Sequence, residues 1–257
     1  MKVGYIQYDV QRNLEQNLTR IEQGLAELRA DLVVLPELCT CGYLFENVEK
    51  LRKVAEPVPD GKATEAFLQL SRQYQCAVIA GVPEQEENAV YNTAIVLENG
   101  KYLGKYRKIH LSDFEKNFFE AGTENPVFTV HGKKIGVQIC FDLWFPEISR
   151  EQLLQGAELF CALGNFGSEP TCLIARTRAM ENLRPLVLCN RIGREQNFLM
   201  TADFLGRSAL IQADGRYQME AKEGIAESSW GEVNFPSPTG NVICRNFEAE
   251  IAFHCEK

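Results

Sequence analysis

Three stretches of the chain share one layout, in which a short strand-like run leads to a potentially reactive side chain. They are residues 32–37 (LVVLPE), 106–111 (YRKIHL) and 135–142 (IGVQICFD), which carry Glu37, Lys108 and Cys140. In sheet proteins, functional groups gather at strand ends, where a rigid element positions them beside loops. We therefore expect a carboxylate, an ammonium and a thiol to lie close together.

These three groups would form a covalent catalyst. A thiol with a pKa of about 8.5 is mostly protonated at neutral pH and needs a base or a cation to become a nucleophile. Glu37 would take its proton, and Lys108 would hold the thiolate and then the oxyanion of a tetrahedral intermediate, with the N–H after Cys140 as second donor. Each residue alone also has a structural explanation: a turn carboxylate, a surface cation and a core thiol.

The elements that would position these side chains alternate between strands and helices. Short β-rich runs predict strands at 3–9, 32–35, 77–81, 91–97, 101–106, 134–139, 158–163, 186–190 and 208–212. Apolar residues at three- and four-residue spacing predict a helix over 14–28, opened by an Asn13/Gln16 capping pair. Further helices fit 64–75, 146–155 and 172–182.

Two dipeptides predict hairpins within this alternation. Asn99-Gly100 and, with a weaker signal, His131-Gly132 lie between β-like runs. Antiparallel pairs favour a mixed α/β layer arrangement with helices on the sheet faces over a purely parallel doubly wound sheet. We find no linker, low-complexity segment or internal repeat, so residues 1–257 are predicted to form a single domain.

The composition is typical of a globular protein with one large core. The chain has 257 residues, of which 45% are hydrophobic and 24% charged. Its net charge of -8 repels phosphate backbones, which excludes nucleic acid as the default partner. No apolar run reaches the roughly 18 residues of a membrane helix, and the N-terminus does not resemble a signal peptide. We expect no membrane contact and a cytoplasmic location.

The nine cysteines are predicted to be reduced thiols, because they lack CxxC spacing and a chain of this length can form a core without disulfides. Three widely separated histidines give poor support for structural zinc. Cys39 and Cys41 form a lone C-x-C, which leaves a redox thiol protein as an alternative.

At the three reactive segments the sequence resembles the nitrilase, or carbon-nitrogen hydrolase, superfamily, whose members carry Glu, Lys and Cys in this chain order. The segment LPEL at 35–38 with Gly42-Tyr43 resembles the glutamate segment of the family. YRKIHL at 106–111 is similar to its lysine segment and ICFDLWFPE at 139–147 to its cysteine elbow. Further similarities at 178–182, 190–193 and 206–209 extend the resemblance over about residues 3–215.

The resemblance implies an α/β fold, a four-layer α-β-β-α sandwich with mixed sheets. It implies hydrolysis of a non-peptide C–N bond through a cysteine thioester, with release of ammonia or an amine. No metal or organic cofactor is expected. A homodimer or higher homo-oligomer is expected, because tails of relatives often cross to a neighbouring subunit, and the tail after about residue 229 is predicted to lie at such an interface.

Many amidase branches of the family carry a second carboxylate between the lysine and the cysteine. Glu115 resembles it and would orient the substrate or its leaving group, with Glu120 and Glu124 as nearby alternatives. Nitrile-cleaving members usually show Cys-Trp-Glu, whereas CFD at 140–142 favours amides. Trp144 resembles the Cys-x-Asp-x-Trp-Phe-Pro-Glu form of carbamoyl-amine amidases.

An apolar slot with one amide is predicted for the substrate, although two of its aromatic residues fit a core position equally well. Arg178 and Glu181, three residues apart on a helix, are predicted to form a structural ion pair. The residues predicted to contact substrate are Phe141, Trp144, Asn165, Phe166 and Tyr43.

The sequence therefore predicts thiol-dependent hydrolysis of a small linear amide or carbamoyl compound by Cys140, Glu37, Lys108 and Glu115. Acyl transfer to an amine acceptor is an alternative, distinguished by whether added amines intercept the thioester. A non-catalytic binding subunit of the same fold is a second, against which the intact set of reactive residues argues.

Overall fold

The chain folds into sheets covered by helices. A computed structural model describes residues 1–235, 244 and 247–255. The helices in this part are α1 (Leu14–Glu27), α2 (Val48–Arg52), α3 (Lys62–Gln73), α4 (Pro146–Leu154), α5 (Glu169–Asn182) and α6 (Phe247–Cys255). The strands are β1 (Lys2–Gln7), β2 (Leu32–Val34), β3 (Ala77–Glu86), β4 (Ala89–Glu98), β5 (Lys101–Arg107), β6 (Val127–Val130), β7 (Lys133–Ile139), β8 (Leu159–Gly164), β9 (Leu186–Asn190), β10 (Ile192–Gln196), β11 (Thr201–Leu205), β12 (Ala209–Ile211), β13 (Tyr217–Glu220) and β14 (Glu227–Glu232).

Two six-stranded mixed sheets carry most of these strands. The first has the order β14-β1-β2-β3-β4-β5 and the second β13-β12-β9-β8-β7-β6, while β10 and β11 form a separate pair. Strands β1, β2 and β3 run parallel in one sheet and β7, β8 and β9 in the other. Two antiparallel steps separate β3 from β5, so β5 points in the same direction as β3. The carboxyl ends of β2, β3 and β5 therefore share one edge.

The sheets pack face to face and helices cover both outer faces. Val34 and Ile79 from the first sheet and Val137 and Cys161 from the second lie in one buried cluster between the sheets. A second cluster joins the outer face of the first sheet to α1 and α3, and a third joins the second sheet to α4 and α5. Burial on both faces explains why the central strands are almost continuously apolar. This is the four-layer α-β-β-α sandwich that the resemblance implies.

The predicted strands and helices are present, with shifts at their ends. Both hairpin predictions are confirmed: Asn99 and Gly100, and His131 and Gly132, have positive φ angles between the strands they connect. The Asn13 side chain accepts a hydrogen bond from the Gln16 N–H at 3.0 Å and begins α1. Strands β3 and β4 are ten residues long, because their hairpin continues beyond the apolar core into polar residues.

The sequence analysis did not predict β10, β11, β13 or β14. Strands β10 and β11 form a two-stranded sheet of their own and have exposed residues along their length, so they lack the apolar alternation that marks a core strand. Strand β14 completes the first sheet by pairing with β1, although its sequence ESSWGE is largely polar.

The predicted interface tail after residue 229 is partly described. Residues 229–232 belong to β14, and α6 is held to the body by an ion pair between Arg184 and Glu248. The rest of that prediction falls on residues 236–243, 245–246 and 256–257, which lie outside the described residues. Within the described part of the chain, no helix combines the length and apolar character needed to span a membrane.

Candidate active site

Strand ends from both sheets meet at one place. Lys108 follows β5, Cys140 follows β7 and Asn165 follows β8, while Glu37 lies three residues after β2. Lys108 Nζ lies 2.8 Å from Glu37 Oε1, so two strand ends of the first sheet are in direct contact. Cys140, at a strand end of the second sheet, interacts electrostatically with both. The structure thus brings the three predicted reactive residues together.

Close packing against β3 fixes the glutamate segment. The Cys39 N–H donates to the Gly81 carbonyl oxygen at 2.8 Å. A Cβ atom at Gly81 would lie 2.7 Å from the Glu37 Cα, so only glycine allows the segment to approach this closely. Leu38 adopts a φ of 47°, in the left-handed region, directly after Glu37. Such a strained conformation persists only where the surrounding structure enforces it. At Leu38 it redirects the backbone directly after Glu37.

Cys140 lies at a sharp turn between β7 and a 3₁₀ turn over Cys140–Trp144. Its φ of 48° is in the left-handed region, which is unfavourable for a residue with a side chain. Backbone N–H groups in the first turn of such an element lack partners inside it. The N–H of Phe141, next after the thiol, is therefore suited to receive a developing oxyanion.

Asp142 joins the cysteine segment to the lysine segment. Its Oδ2 accepts from the Tyr106 hydroxyl at 2.7 Å and from the Ile139 N–H at 3.1 Å. Its Oδ1 accepts from the His110 N–H at 2.8 Å. The carboxylate is fully buried, and a buried carboxylate with this many donors fixes every group that it binds. Asp142 therefore sets the position of the Cys140 turn relative to the strand that carries Lys108.

Lys108 lies between two carboxylates. Its Nζ is 2.8 Å from Glu37 Oε1 and 2.6 Å from Glu115 Oε1, and all three side chains are fully buried. The backbone of Lys108 is held as well, because its N–H donates to the Asn92 carbonyl oxygen at 2.8 Å. Glu115 was predicted to act on the substrate, and the structure adds a contact with the lysine that the sequence did not indicate.

Asn92 is a residue of the site that the sequence analysis missed. Its Nδ2 donates to Glu37 Oε1 at 2.7 Å and reaches Glu115 Oε1 at 3.4 Å, so one amide bridges both carboxylates. Asn92 lies in β4, two residues before Ala94, which faces the core between the sheets. The sequence feature that could have identified Asn92 is a polar side chain at a core-facing position of a buried strand.

The two carboxylates differ in their second oxygen. Glu115 Oε2 accepts from the Ser112 N–H at 2.9 Å. Glu37 Oε2 is buried and has no hydrogen-bond partner among the described residues. Of the two carboxylates, Glu37 therefore has the oxygen that is available to receive a proton, its Oε2.

Burial and mutual charge shift the pKa values of this cluster. Burial raises the pKa of Glu37; Lys108 opposes this rise and Glu115 adds to it. Burial by itself would lower the pKa of Lys108, but the negative charges of Glu37 and Glu115 outweigh it and raise that pKa well above its usual value. Lys108 is therefore an ammonium that stays charged, beside a carboxylate with increased proton affinity.

The resting state of Cys140 differs from the sequence expectation of a thiolate held by Lys108. Burial raises the pKa of Cys140 well above its usual value, Glu37 raises it further, and Lys108 lowers it. Two carboxylates and burial thus outweigh one ammonium, so the thiol is protonated at neutral pH. The thiol must therefore lose its proton to a base while the sulfur attacks the substrate. Glu37, the base, then contributes more to activation of Cys140 than Lys108 does.

The predicted substrate-contacting residues lie at different depths. Tyr43 is half-buried, and burial followed by the charge of Glu115 raises its pKa, so its hydroxyl lies within the field of the cluster. Phe141 is half-buried and its ring lies 6.4 Å from that of Trp144, which is 45% exposed. Asn165 is buried, and its backbone lies close enough to the Cys140 thiol to lower the pKa of that thiol.

Phe166 packs into the core cluster between the second sheet and its helices, the core alternative raised by the sequence analysis. Its backbone is held on both sides, because Asn190 Oδ1 accepts its N–H at 3.1 Å and Asn190 Nδ2 donates to its oxygen at 2.9 Å. The predicted ion pair between Arg178 and Glu181 is present at 2.5 Å. Arg178 also donates to the Leu143 oxygen at 2.7 Å and so supports the turn that follows Cys140.

The redox alternative finds no support in the environment of its cysteines. Cys39 and Cys41 are both buried, and burial raises the pKa of each thiol. A redox thiol needs the opposite, an accessible side chain with a lowered pKa.

Comparison with known proteins identifies related chains along nearly the whole length. The family described as carbon-nitrogen hydrolase matches residues 2–236. A probable nitrilase of Schizosaccharomyces pombe is 34% identical over 228 residues, which cover 84% of this chain and 82% of the relative. A nitrilase of Pyrococcus abyssi is 33% identical over 239 residues, covering 91% and 90%.

Amidases and solved structures are also among the similar proteins. An (R)-stereoselective amidase of a Pseudomonas species is 31% identical over 217 residues, covering 83% of this chain and 76% of the relative. The crystal structure of a carbon-nitrogen hydrolase from Helicobacter pylori has a TM-score of 0.81 at 26% identity and covers 91% of this chain and 89% of that chain. Sequence and fold thus agree on the same group of relatives.

Proposed function

The chain belongs to the carbon-nitrogen hydrolase family of the nitrilase superfamily, and on this premise we propose that it hydrolyses small linear amides or carbamoyl compounds through a thioester on Cys140. It is an enzyme acting on non-peptide C–N bonds, as its amidase and nitrilase relatives are. The observation that supports the mechanism most is the contact of one buried ammonium with two carboxylates beside the thiol.

In the first half-reaction, the Cys140 sulfur attacks the carbonyl carbon while Glu37 Oε2 takes the thiol proton. The carbonyl oxygen becomes an oxyanion that Lys108 and the Phe141 N–H stabilise. Glu37 then gives its proton to the leaving nitrogen, the C–N bond breaks, and ammonia departs from a thioester.

The second half-reaction uses the same residues with water as the nucleophile. Glu37 takes a proton from water as the oxygen attacks the thioester carbon, and the oxyanion forms again beside Lys108. The C–S bond then breaks, the sulfur recovers the proton from Glu37, and the acid product leaves. Glu115 supports both halves by holding the Lys108 ammonium in position, and it remains a candidate to orient the substrate.

A panel of substrates tests this function. The enzyme should release ammonia from short aliphatic amides, ω-amides or N-carbamoyl amines more readily than from the matched nitriles, because CFD at 140–142 differs from the Cys-Trp-Glu of nitrile-cleaving relatives. Cys140→Ala should release none. Ammonia release from nitriles alone would mean that the enzyme hydrolyses nitriles and not amides, as the names of two relatives suggest for those proteins. No ammonia release from any compound would contradict the proposal.

Alkylation identifies the nucleophile. We expect Cys140 to react with iodoacetamide faster than the other cysteines near neutral pH, because it is partly exposed and Glu37 can take its proton, whereas Cys39, Cys76 and Cys161 are buried. Cys244 is the internal control, because it is also partly exposed but lies in the tail. Its slower reaction would show that exposure alone does not explain the reactivity of Cys140. Peptide mapping after brief treatment measures this, and an unmodified Cys140 beside another labelled cysteine would exclude it as nucleophile.

We also propose acyl transfer to an amine acceptor as a second outcome of the same thioester, detected if added hydroxylamine yields a hydroxamate.

A cytoplasmic location and a homo-oligomeric state remain part of the proposal. The thiols of Cys39, Cys76 and Cys161 form no disulfide, which supports a reducing compartment.

A further inference from the structure

The side-chain amide of Asn165 is buried with neither polar atom paired. Its Oδ1 and Nδ2 have no hydrogen-bond partner within the part of the chain that the structure describes. The residue is 6% exposed. Most buried polar side chains in proteins are hydrogen-bonded, so an amide with both its donor and its acceptor unused is suited to binding a ligand that supplies them.

The position of Asn165 places this amide beside the nucleophile. In β8, Leu159, Cys161 and Leu163 face the core between the two sheets. Position 165 continues this alternation past the carboxyl end of the strand, on the side where the lysine cluster lies. Ile139 pairs with Leu163 in the parallel ladder of β7 and β8, so Cys140 and Asn165 follow neighbouring strand ends. The backbone of Asn165 is close enough to the Cys140 thiol to lower the pKa of that thiol.

Resting on the proposed amide hydrolysis, we propose that Asn165 makes the enzyme selective for N-carbamoyl amines, R–NH–CO–NH₂, over alkyl amides, R–CH₂–CO–NH₂. The two substrates differ only in the group next to the reacting carbonyl. The N–H of the carbamoyl amine donates to Asn165 Oδ1, whereas a CH₂ group leaves this oxygen buried and unpaired. A site built to hydrogen-bond a substrate N–H discriminates strongly against an analogue that lacks it.

The reaction of such a substrate balances without a further reactant. The Cys140 sulfur bonds to the carbamoyl carbon, the bond to the terminal NH₂ breaks, and NH₃ leaves with the thiol proton. Water then cleaves the C–S bond, which restores the thiol and yields the carbamic acid R–NH–COOH. This acid separates into the amine R–NH₂ and CO₂.

N-butylurea and hexanamide test the inference, because they are isosteres that differ by NH and CH₂. With the full-length enzyme, ammonia release gives kcat/KM for each, and the ratio of the two values is the readout. Asn165→Leu should lower the ratio of N-butylurea to hexanamide about 10- to 100-fold, the effect of one lost hydrogen bond to a buried group. Ser168→Ala, an exposed change in the same loop, should leave the ratio unchanged.

Thermal unfolding separates this role from a structural one. Asn165→Leu removes no side-chain hydrogen bond to the described protein, so its melting temperature should not fall. Equal losses for both substrates would overturn the inference, as would wild-type turnover of hexanamide without N-butylurea, and amide hydrolysis would stand in either case. Failure of the wild type on every amide and carbamoyl compound would instead overturn the proposed function and this inference with it.

Discussion

Lys108→Met lowers amide turnover by about a hundred- to a thousandfold, the usual result of removing one oxyanion donor. The structure supports this expectation because the Lys108 ammonium is buried beside Cys140 and is held by two carboxylates. Ammonia release at saturating substrate measures the loss. Lys105→Met is the matched control: this lysine lies in β5, three residues before Lys108, and pairs with Glu84 away from the cluster. Its replacement should leave turnover normal.

The same substitution should make stability depend on pH. Without the ammonium, burial and the neighbouring charge of Glu115 act on Glu37 unopposed and raise its pKa further above the value of about 4.3 in the unfolded chain. A carboxyl group with a raised folded pKa binds more protons in the folded state, so stability is greatest below the unfolded pKa and falls as pH rises through the interval. The melting temperature of Lys108→Met should therefore fall between about pH 5 and pH 7 more steeply than that of the wild type.

Circular dichroism at several pH values measures this, and it also shows at which pH the variant is folded. Turnover must be compared where both proteins are folded. A folded Lys108→Met enzyme with near-normal turnover would remove Lys108 from the mechanism. A melting temperature that follows the wild-type pH profile would instead show that Glu37 does not depend on the lysine for its ionisation.

The parts of this fold that the sequence predicts are those with local signals. Asn99-Gly100 and Asn13 need only their neighbours to form a hairpin turn and a helix cap, and both are present. The apolar run that ends at Cys140 is a buried strand for the same reason. Strand β5, which leads to Lys108, is only partly buried. The layer order came from the resemblance alone, because the pairing of strands far apart in sequence leaves no local pattern.

The unpredicted parts of the site depend on contacts between distant segments. Asn92 lies 55 positions from Glu37, and Asp142 lies 36 positions from Tyr106, so no motif joins them. The protonated resting state of Cys140 likewise depends on how many carboxylates surround one ammonium. A spacing pattern identifies the reactive residues but not the balance of charge among them.

Glu37→Gln should lower amide turnover by about a hundred- to ten-thousandfold, the usual contribution of a general base. Glutamine keeps an oxygen that can accept from Lys108 Nζ and Asn92 Nδ2, so the cluster should remain folded. What it lacks is an atom able to receive the Cys140 proton at the position of Oε2. Alkylation of Cys140 by iodoacetamide should therefore slow together with turnover, because both need the thiol to lose its proton.

Glu115→Gln should separate the two rates. Its Oε1 accepts from Lys108 and its Oε2 from the Ser112 N–H, so an amide must turn its NH₂ toward one donor and lose that contact. Losing a hydrogen bond to a charged group costs about 1.5 to 3 kcal/mol, or about ten- to a hundredfold in turnover when it positions the oxyanion donor. Alkylation forms no oxyanion and should stay nearly as fast as in the wild type.

Both rates are measured for both variants after circular dichroism shows each to be folded. Equal slowing of alkylation would place Glu115 in the network that deprotonates Cys140, beside Glu37. Normal turnover in Glu115→Gln would make the contact with Lys108 dispensable and leave Glu37 as the carboxylate that matters. Glu37, unlike Glu115, has a buried carboxylate oxygen without a partner among the described residues, so the structure favours the outcome in which the Glu37 variant alone loses both rates.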